Sequence, residues 1–317
     1  MKKFKPLVSI IIPVFNGSNF LQYAIDSALQ QTYRNIEILV INDGSSDKGK
    51  TELIALSYGK KIKYFKKKNG GVSSALNFGI SKMKGDYFSW LSHDDVYMPN
   101  KIKEQVSFLQ KCTIPNAIVY SDFLLFSEDP VKTKKYKITP PSPDSFRYAI
   151  TVNSFLNGCS LLIPKVVFDE CGIFDIKLKH TQDYDMWFRA SNKFKFLHLN
   201  KVLVKSRIHN DQDSNKYKRD AINEISLMIQ GFLKELKNDE IIKATGKSLF
   251  RSHLQMSYCF ARRGLLLNSI KILRKLDLAG IKSISDILIG VYDLIRILLL
   301  LIAWKLFKFS KWLCNES

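Results

Sequence analysis

Val8-Ser9-Ile10-Ile11-Ile12-Pro13-Val14-Phe15-Asn16 and, further on, Ile36-Glu37-Ile38-Leu39-Val40-Ile41-Asn42-Asp43-Gly44-Ser45-Ser46-Asp47 are the stretches from which the fold can be read. Val8–Val14 is β-branched and apolar with little polar alternation, as expected of a strand buried on both faces. Ile36–Ile41 is a second apolar run. Between them, Asn16-Gly17-Ser18-Asn19 is a loop and cap cluster, and Leu21, Ala24, Ile25, Ala28 and Leu29 recur at helical spacing. Strand, helix and strand within about 35 residues imply a parallel pair joined by a right-handed crossover.

The alternation continues outward. Ile62–Phe65 is expected to be a third strand, Val72–Met83 a crossover helix and Tyr87–Leu91 a further strand. Ser92-His93-Asp94-Asp95 follows, then a helix opened by Pro99 with Ile102, Val106 and Leu109 on one face. Ala117–Phe126 is another expected strand, and Glu128–Asp144 a Pro/Lys-rich loop. Phe155–Ile163 reads as a strand, Pro164–Cys171 as a short helix stopped by Gly172, Gln182–Asn192 as a helix, and Phe194–Ile208 as two short strands. Beyond about residue 214 the chain is helix-patterned and rich in Leu, Ile and Lys. The expected organisation is therefore an α/β domain over 1–213, with a mostly parallel sheet and flanking helices, and a helical region over 214–317.

Composition narrows the classes. The chain has 317 residues, 49 Lys+Arg against 29 Asp+Glu, a net charge of +20, 46% hydrophobic and 12% aromatic residues. That is too apolar and aromatic for a disordered chain, and it lacks the repeated long apolar runs of a polytopic membrane protein. The five cysteines include no Cys-x-x-Cys pair, which argues against a disulfide framework or zinc ribbon and for a reducing cytosol. Met1–Val14 is too short and strand-like for a signal peptide. The basic excess suits nucleic acid, an anionic membrane or phosphorylated small molecules. No interleaving of aromatic and basic residues on one face supports the first, and no nucleic-acid partner is expected. Lys60–Lys68, with six lysines in nine positions, reads as a solvated loop and strand edge; the alternative is a patch facing a lipid-linked or phosphorylated acceptor.

Two acidic clusters fall at carboxyl ends of expected strands, where open parallel sheets bind ligands: Asp43, and the pair Asp94-Asp95. The first turn lacks Gly-x-Gly-x-x-Gly, which disfavours a dinucleotide site of the NAD type. Adjacent carboxylates on a tight turn can share a divalent cation that neutralises a diphosphate. They are equally common as turn-formers and helix caps, and spacing alone leaves both readings open.

The ordered motifs resolve more. Val8–Asn16 and Ile41–Asp47, then Gly70-Gly71-Val72-Ser73-Ser74-Ala75-Leu76-Asn77-Phe78-Gly79, Trp90–Asp95, Gly158-Cys159-Ser160, Gln182-Asp183-Tyr184-Asp185-Met186-Trp187 and Arg207-Ile208-His209 resemble family 2 glycosyltransferases of the GT-A fold, over roughly residues 6–212. The resemblance implies that Pro13, Phe15 and Asp43 hold the nucleotide base, with Asp43 accepting from a uracil N–H. It implies that Asp94 contacts the ribose and that Asp95 binds Mn2+ or Mg2+ bridging the diphosphate, with His209 reaching the metal or the diphosphate; the plain alternative for His209 is a surface histidine in the polar Arg207–Ser214 segment. Asp183 matches the catalytic base; its plain alternative is a charge complementing a helix N-terminus. The chain departs from the family where Ser92 replaces the first carboxylate of Asp-x-Asp-Asp, where Leu76 replaces Arg, and where Gln182 replaces Glu.

The implied activity is an inverting transfer from a nucleotide-diphosphate sugar, a UDP-sugar, to a hydroxyl of a glycan or lipid-linked acceptor in surface-polysaccharide synthesis. A polyprenyl-phosphate sugar synthase and a non-catalytic nucleotide-sugar-binding scaffold are the alternatives. Toward the C-terminus, Ile297–Trp304 is eight consecutive apolar residues followed by Lys305, Lys308 and Lys311. That is short of the ~20 apolar residues of a spanning helix and fits a helix lying on a membrane surface; a helix packed on its neighbours or on a partner subunit is the alternative. The expected location is cytoplasmic, at the inner face of the cell membrane.

Overall fold

The computed structural model describes residues 4–127, 134–209, 218–276, 288, 290–300 and 302–303. Contacts divide the chain into two compact units, Met1–Pro143 with Phe155–Ala221, and Asp144–Ser154 with Ile222–Ser317. The expected boundary at 213/214 lies outside the described residues.

In the first unit, β1 (Val8–Val14) is buried at every position, as its unbroken apolar run requires. Helix α1 (Leu21–Leu29) leads to β2 (Ile36–Asn42), α2 (Lys50–Ser57) to β3 (Lys63–Lys66), and α3 (Gly71–Lys82) to β4 (Tyr87–Trp90). β1 pairs in parallel with β2 and with β4, and β2 pairs in parallel with β3. After β5 (Val96–Tyr97), α4 (Lys101–Lys111), β6 (Ile118–Phe126), β7 (Lys134–Tyr136) and α5 (Phe146–Val152), the two-residue β8 (Ile163–Pro164) adds antiparallel to β4. The sheet order is β3-β2-β1-β4-β8. Strand order therefore reverses beside β1, and the carboxyl ends of β1, β2 and β4 flank the crevice where such sheets bind ligands. Helix α3 lies close on β1: a Cβ added at Gly79 would stand 2.5 Å from Ile11 Cγ2, so glycine permits the approach.

After α6 (Val166–Cys171) and α7 (Gln182–Ala190) comes β9 (Phe196–Arg207), the centre of a second sheet ordered β5-β9-β6-β7. Sequence reading expected two short strands here. One continuous strand forms because β9 pairs in parallel with β6 along its length, slipping register around Asp122 so that the exposed Asn200 and Lys201 are skipped. The strand expected at Phe155–Ile163 shrinks to Ile163–Pro164. The Asn157 side chain accepts from Cys159 N at 2.8 Å and caps a short 3-10 turn over Gly158–Ser160. The segment expected to be a loop holds β7, an edge strand whose Tyr136 ring stacks on Phe123 at 4.7 Å; residues 128–133 lie outside the described residues. In the lysine run, Lys63, Lys66 and Lys67 pair with Glu37, Glu52 and Asp43.

The second unit contains α5, most of α8 (Lys218–Glu235), α9 (Asn238–Thr245), α10 (Leu249–Arg262), α11 (Leu266–Leu273) and a helix over 290–300, here α12. Arg147 of α5 pairs with Glu235 and Glu240, and Arg263 donates to Val152 O and Ser154 Oγ. Those two arginines tie the 144–154 segment to helices far along the chain.

Lys101 is fully buried in the first unit. Its Nζ donates to Ser89 Oγ, Gln105 Oε1 and Leu161 O at 2.9, 3.0 and 3.2 Å, and lies 4.3 Å from the Tyr97 ring centroid. Burial pushes its ammonium down to about 7, because charge is costly away from water. Above that pH the unfolded chain binds the extra proton, so this residue makes stability rise with pH. The expected slope is at most ~1.4 kcal/mol per pH unit. It should be visible between about pH 7 and 8, before the unfolded cysteines, at about 8.5, and tyrosines, at about 10, are largely ionised. Denaturant unfolding of wild type and Lys101→Met at both ends of that window tests it; an equal pH response in the two proteins would contradict the assignment.

Candidate functional site

The sharp turns after β1 and β2 are built from short polar side chains. Asn16, at φ 49°, accepts from Ser46 N at 2.7 Å, and its own N–H donates to Ser45 Oγ at 2.9 Å. Asp43 N donates to Val14 O at 2.8 Å, extending the β1–β2 pairing one step. This brings Pro13, buried on β1, and Phe15, 46% exposed just beyond it, alongside Asp43.

Asp43 is buried and already well engaged. Lys67 Nζ lies at 2.5 Å, and the N–H groups of Gly70 and Gly71, at the start of α3, donate to the carboxylate at 3.1 and 2.7 Å. A helix N-terminus is a favourable place for a carboxylate. Of roughly four lone-pair directions, three donors leave space for about one more, the number a base N–H needs. Gly44, at φ +75°, packs so closely that a Cβ would meet Asn69 N at 2.7 Å.

The turn after β4 brings Asp94 and Asp95 together with the end of β9. Arg207 N donates to Asp95 Oδ1 at 2.9 Å, and Arg207 Nε donates to Asp94 O at 3.1 Å. The Arg207 guanidinium lies over Phe20 at 4.3 Å and Phe126 at 4.6 Å. His209 Nε2 is 3.0 Å from Asp94 Oδ2, and its ring is 5.0 Å from Phe20. The structure thus joins His209 to Asp94 of the acidic pair. Cys159 Sγ accepts from Ser92 N at 3.2 Å, and the Cys159 and Ser206 side chains hydrogen-bond Asp95.

The two neighbouring carboxylates are driven apart. Burial acts to raise Asp94, but the charge of His93 and hydrogen bonds from Ser92 and His209 hold it below the usual carboxylate range. Asp95 is pushed up to about 7 by burial and then by the charge of Asp94, which outweigh its hydrogen bonds. A buried carboxylate strained by a like charge is a place where a cation is favourable. Among the described residues no three His, Cys, Asp or Glu side chains form a group able to hold a metal ion. Mg2+-type sites commonly use one or two carboxylates and take their other oxygens from substrate phosphates; Asp95, with Asp94 beside it, fits that kind of site.

Asp183 is the second residue of α7, and among the described residues it shares no hydrogen bond with either acidic cluster. Its Oδ1 accepts from Tyr184 N at 2.9 Å. Burial pushes it up to about 6. Helix α7 is anchored by the buried Met186 and Trp187, and aromatic contacts run from Trp187 to Phe174 at 5.9 Å and from Phe174 to Trp90 of β4 at 6.4 Å. A cavity of 320 Å³ at the opposite end of β4, between Lys84–Tyr87, Asn116 and Pro164–Val166, includes none of these residues.

Lys67, Cys159, Ser206 and the Arg207 side chain were given no role in reading the sequence. Arg207 carried a signal, its place in the Arg207-Ile208-His209 motif. Cys159 stands in the Gly158-Cys159-Ser160 motif and Lys67 in the lysine run, Ser206 has no pattern of its own, and only the fold brings the three beside the acidic residues.

The family profile described as Glycosyl transferase family 2 matches residues 9–171. A glycosyltransferase of Rickettsia typhi is 47% identical over 254 residues, covering 77% of each chain. One from Rickettsia felis is 48% identical over 241 residues, but this chain spans 40% of that protein's length. A chondroitin synthase of Pasteurella multocida is 33% identical over 215 residues, 67% of this chain and 22% of that one. Among solved structures, S. aureus TarS 1–349 in complex with UDP-GlcNAc superposes with a TM-score of 0.59 at 14% identity, covering 86% of this chain and 82% of that one. The Pyrobaculum calidifontis mannosyltransferase in complex with GDP-Man and Mn2+ gives 0.58 at 12% identity, covering 93% and 81%. At such identities the likeness is one of fold, and the fold is GT-A. The profile, the relatives and the carboxylates at the ends of β2 and β4 agree: this chain belongs to glycosyl transferase family 2.

Proposed function

We propose that the protein transfers a sugar, with inversion, from a UDP-sugar to a hydroxyl of a glycan or lipid-linked acceptor in surface-polysaccharide synthesis, at the cytoplasmic face of the cell membrane. The observation that carries this reading is the juxtaposition of Asp43 at the end of β2 with Asp94 and Asp95 at the end of β4, on either side of β1. Asp43, with Pro13 and Phe15, receives the base, and Asp94 the ribose. Asp95, supported by Arg207 N, Ser206 and Cys159, would hold Mn2+ or Mg2+, with His209 bearing on the same region through Asp94. When bound, the cation supplies charge neutralisation at the diphosphate. Asp183 takes the acceptor proton.

The UDP-GlcNAc complex of TarS and the GDP-Man and Mn2+ complex of the mannosyltransferase support a nucleotide-sugar donor and the cation. The chondroitin synthase relative supports a polysaccharide acceptor. A thermal-shift screen of UDP, GDP and UDP-sugars, each with and without Mn2+, tests the donor. At a ligand concentration of about 100 Kd the stabilisation is ~2.7 kcal/mol, a rise in Tm of roughly 4–6 °C for a protein of this size. UDP with Mn2+ is expected to give the largest rise. No response to any nucleoside diphosphate would refute the proposal.

A further inference from the structure

Helix α12 presents an exposed face that carries no charge. Leu288, just before it, and Val291, Ile295, Leu298, Leu299 and Ile302 are each 45–66% exposed. At 3.6 residues per turn they fall within an arc of about 100°. The opposite side is already used. Ile297 is buried at 1% exposure, and a Cβ at Gly290 would touch the Phe250 ring at 3.1 Å. Of the helix's two charged residues, Asp293 falls on the packed side and Arg296 on the flank, 3.7 Å apart, with Arg296 stacked 4.0 Å from the Tyr258 ring centroid. The packed side thus holds the helix in its unit, and the apolar side is left facing outward. A contiguous apolar surface of this kind marks a binding face.

Charge selects the occupant. The chain carries +20 overall, and residues 251–317 include eleven basic and four acidic side chains. The sequence directly after the helix adds Trp304, Lys305, Lys308, Lys311 and Trp312. A second copy would bring two basic surfaces together at a cost. An anionic bilayer offers hydrocarbon for the apolar arc, an interface suited to tryptophan and negative headgroups for the lysines. Among the described residues no helix is long and apolar enough to cross a membrane. An apolar arc on one side of a helix suits insertion parallel to the surface.

We infer that the Leu288–Ile302 face docks the second unit on an anionic lipid bilayer, with the helix lying in the interfacial plane. This deepens, and rests on, the proposed work at a membrane face. The test is flotation of the full chain with phosphatidylcholine vesicles, with and without phosphatidylglycerol. Binding is expected to the anionic vesicles, to weaken as salt rises, and to drop at least about tenfold in Ile295→Glu/Leu299→Glu. The milder Ile295→Ala/Leu299→Ala should fall between. The thermal shift with UDP and Mn2+ should be unchanged in these variants, which separates a lost membrane face from a misfolded chain or an incorrect donor. Equal binding to neutral vesicles, undiminished binding of the Glu variant, or a dimer in light scattering that the Glu variant dissolves would overturn the inference.

Discussion

Asp183→Asn is expected to lower sugar transfer by roughly 10²–10⁴-fold, the range for removing a positioned general base, while nucleotide binding persists. Asn has nearly the same shape, and its carbonyl oxygen can still accept from Tyr184 N, so α7 should keep its start. What the variant lacks is a group that can take a proton. Burial pushes the wild-type carboxyl up to about 6, stronger as a base than an exposed aspartate and still ionised at neutral pH. Transfer by wild type should therefore climb as pH rises through about 6 and level off above it, since the base works only when deprotonated. Initial rates with donor and acceptor, beside UDP binding by thermal shift, measure both halves. Near-normal turnover in Asp183→Asn would give Asp183 the plainer role of a charge at a helix N-terminus.

The second large effect is expected at Asp95. Asp95→Asn should remove the Mn2+-dependent part of donor binding, a loss of at least the ~10–100-fold that even a supporting contact around a metal is worth. The substitution keeps an acceptor for Arg207 N, so its effect should not be a collapse of the turn. Its metal-free stability gives an independent readout. Burial and the Asp94 charge raise the folded-state pKa of Asp95 to about 7. The folded protein then binds a proton that the unfolded chain has released, and this residue costs stability as pH rises from about 4 to 7. Asp95→Asn should lose that decline and be at least as stable as wild type at pH 8 without metal. If Mn2+ sharpens UDP binding equally in both proteins, the cation is held elsewhere.

These two residues differ in how far they could be read in advance. Asp94-Asp95 stands at the end of an apolar run and was placed at a strand end by periodicity alone. Asp183 was singled out only through the motif around Gln182–Trp187, because one aspartate at a helix start has many uses. The same division runs through the fold. β1, β2, β3 and β4 and the helices between them were legible because each crossover is local, and a buried parallel strand leaves an unbroken apolar stretch. The 155–163 segment was misread because its apolar content resembles a strand, whereas the Asn157 side chain turns the chain before it can pair.

Val8–Val14, Ile36–Ile41 and Tyr87–Leu91, with an aspartate following each of the latter two, were enough to read the parallel sheet, its crossovers and the end at which such sheets bind ligands, since those follow from periodicity over a few residues. The contacts that shape the acidic site came only with the folded chain. Arg207 reaches Asp95 across 112 residues, Cys159 reaches the same turn, and α5 is held by arginine and glutamate pairs across 88 and 93 residues. Such contacts depend on β9 threading beside β6 and on helices packing at long range. Neither arrangement has a period that a linear reading can detect, because no local energetic preference specifies it.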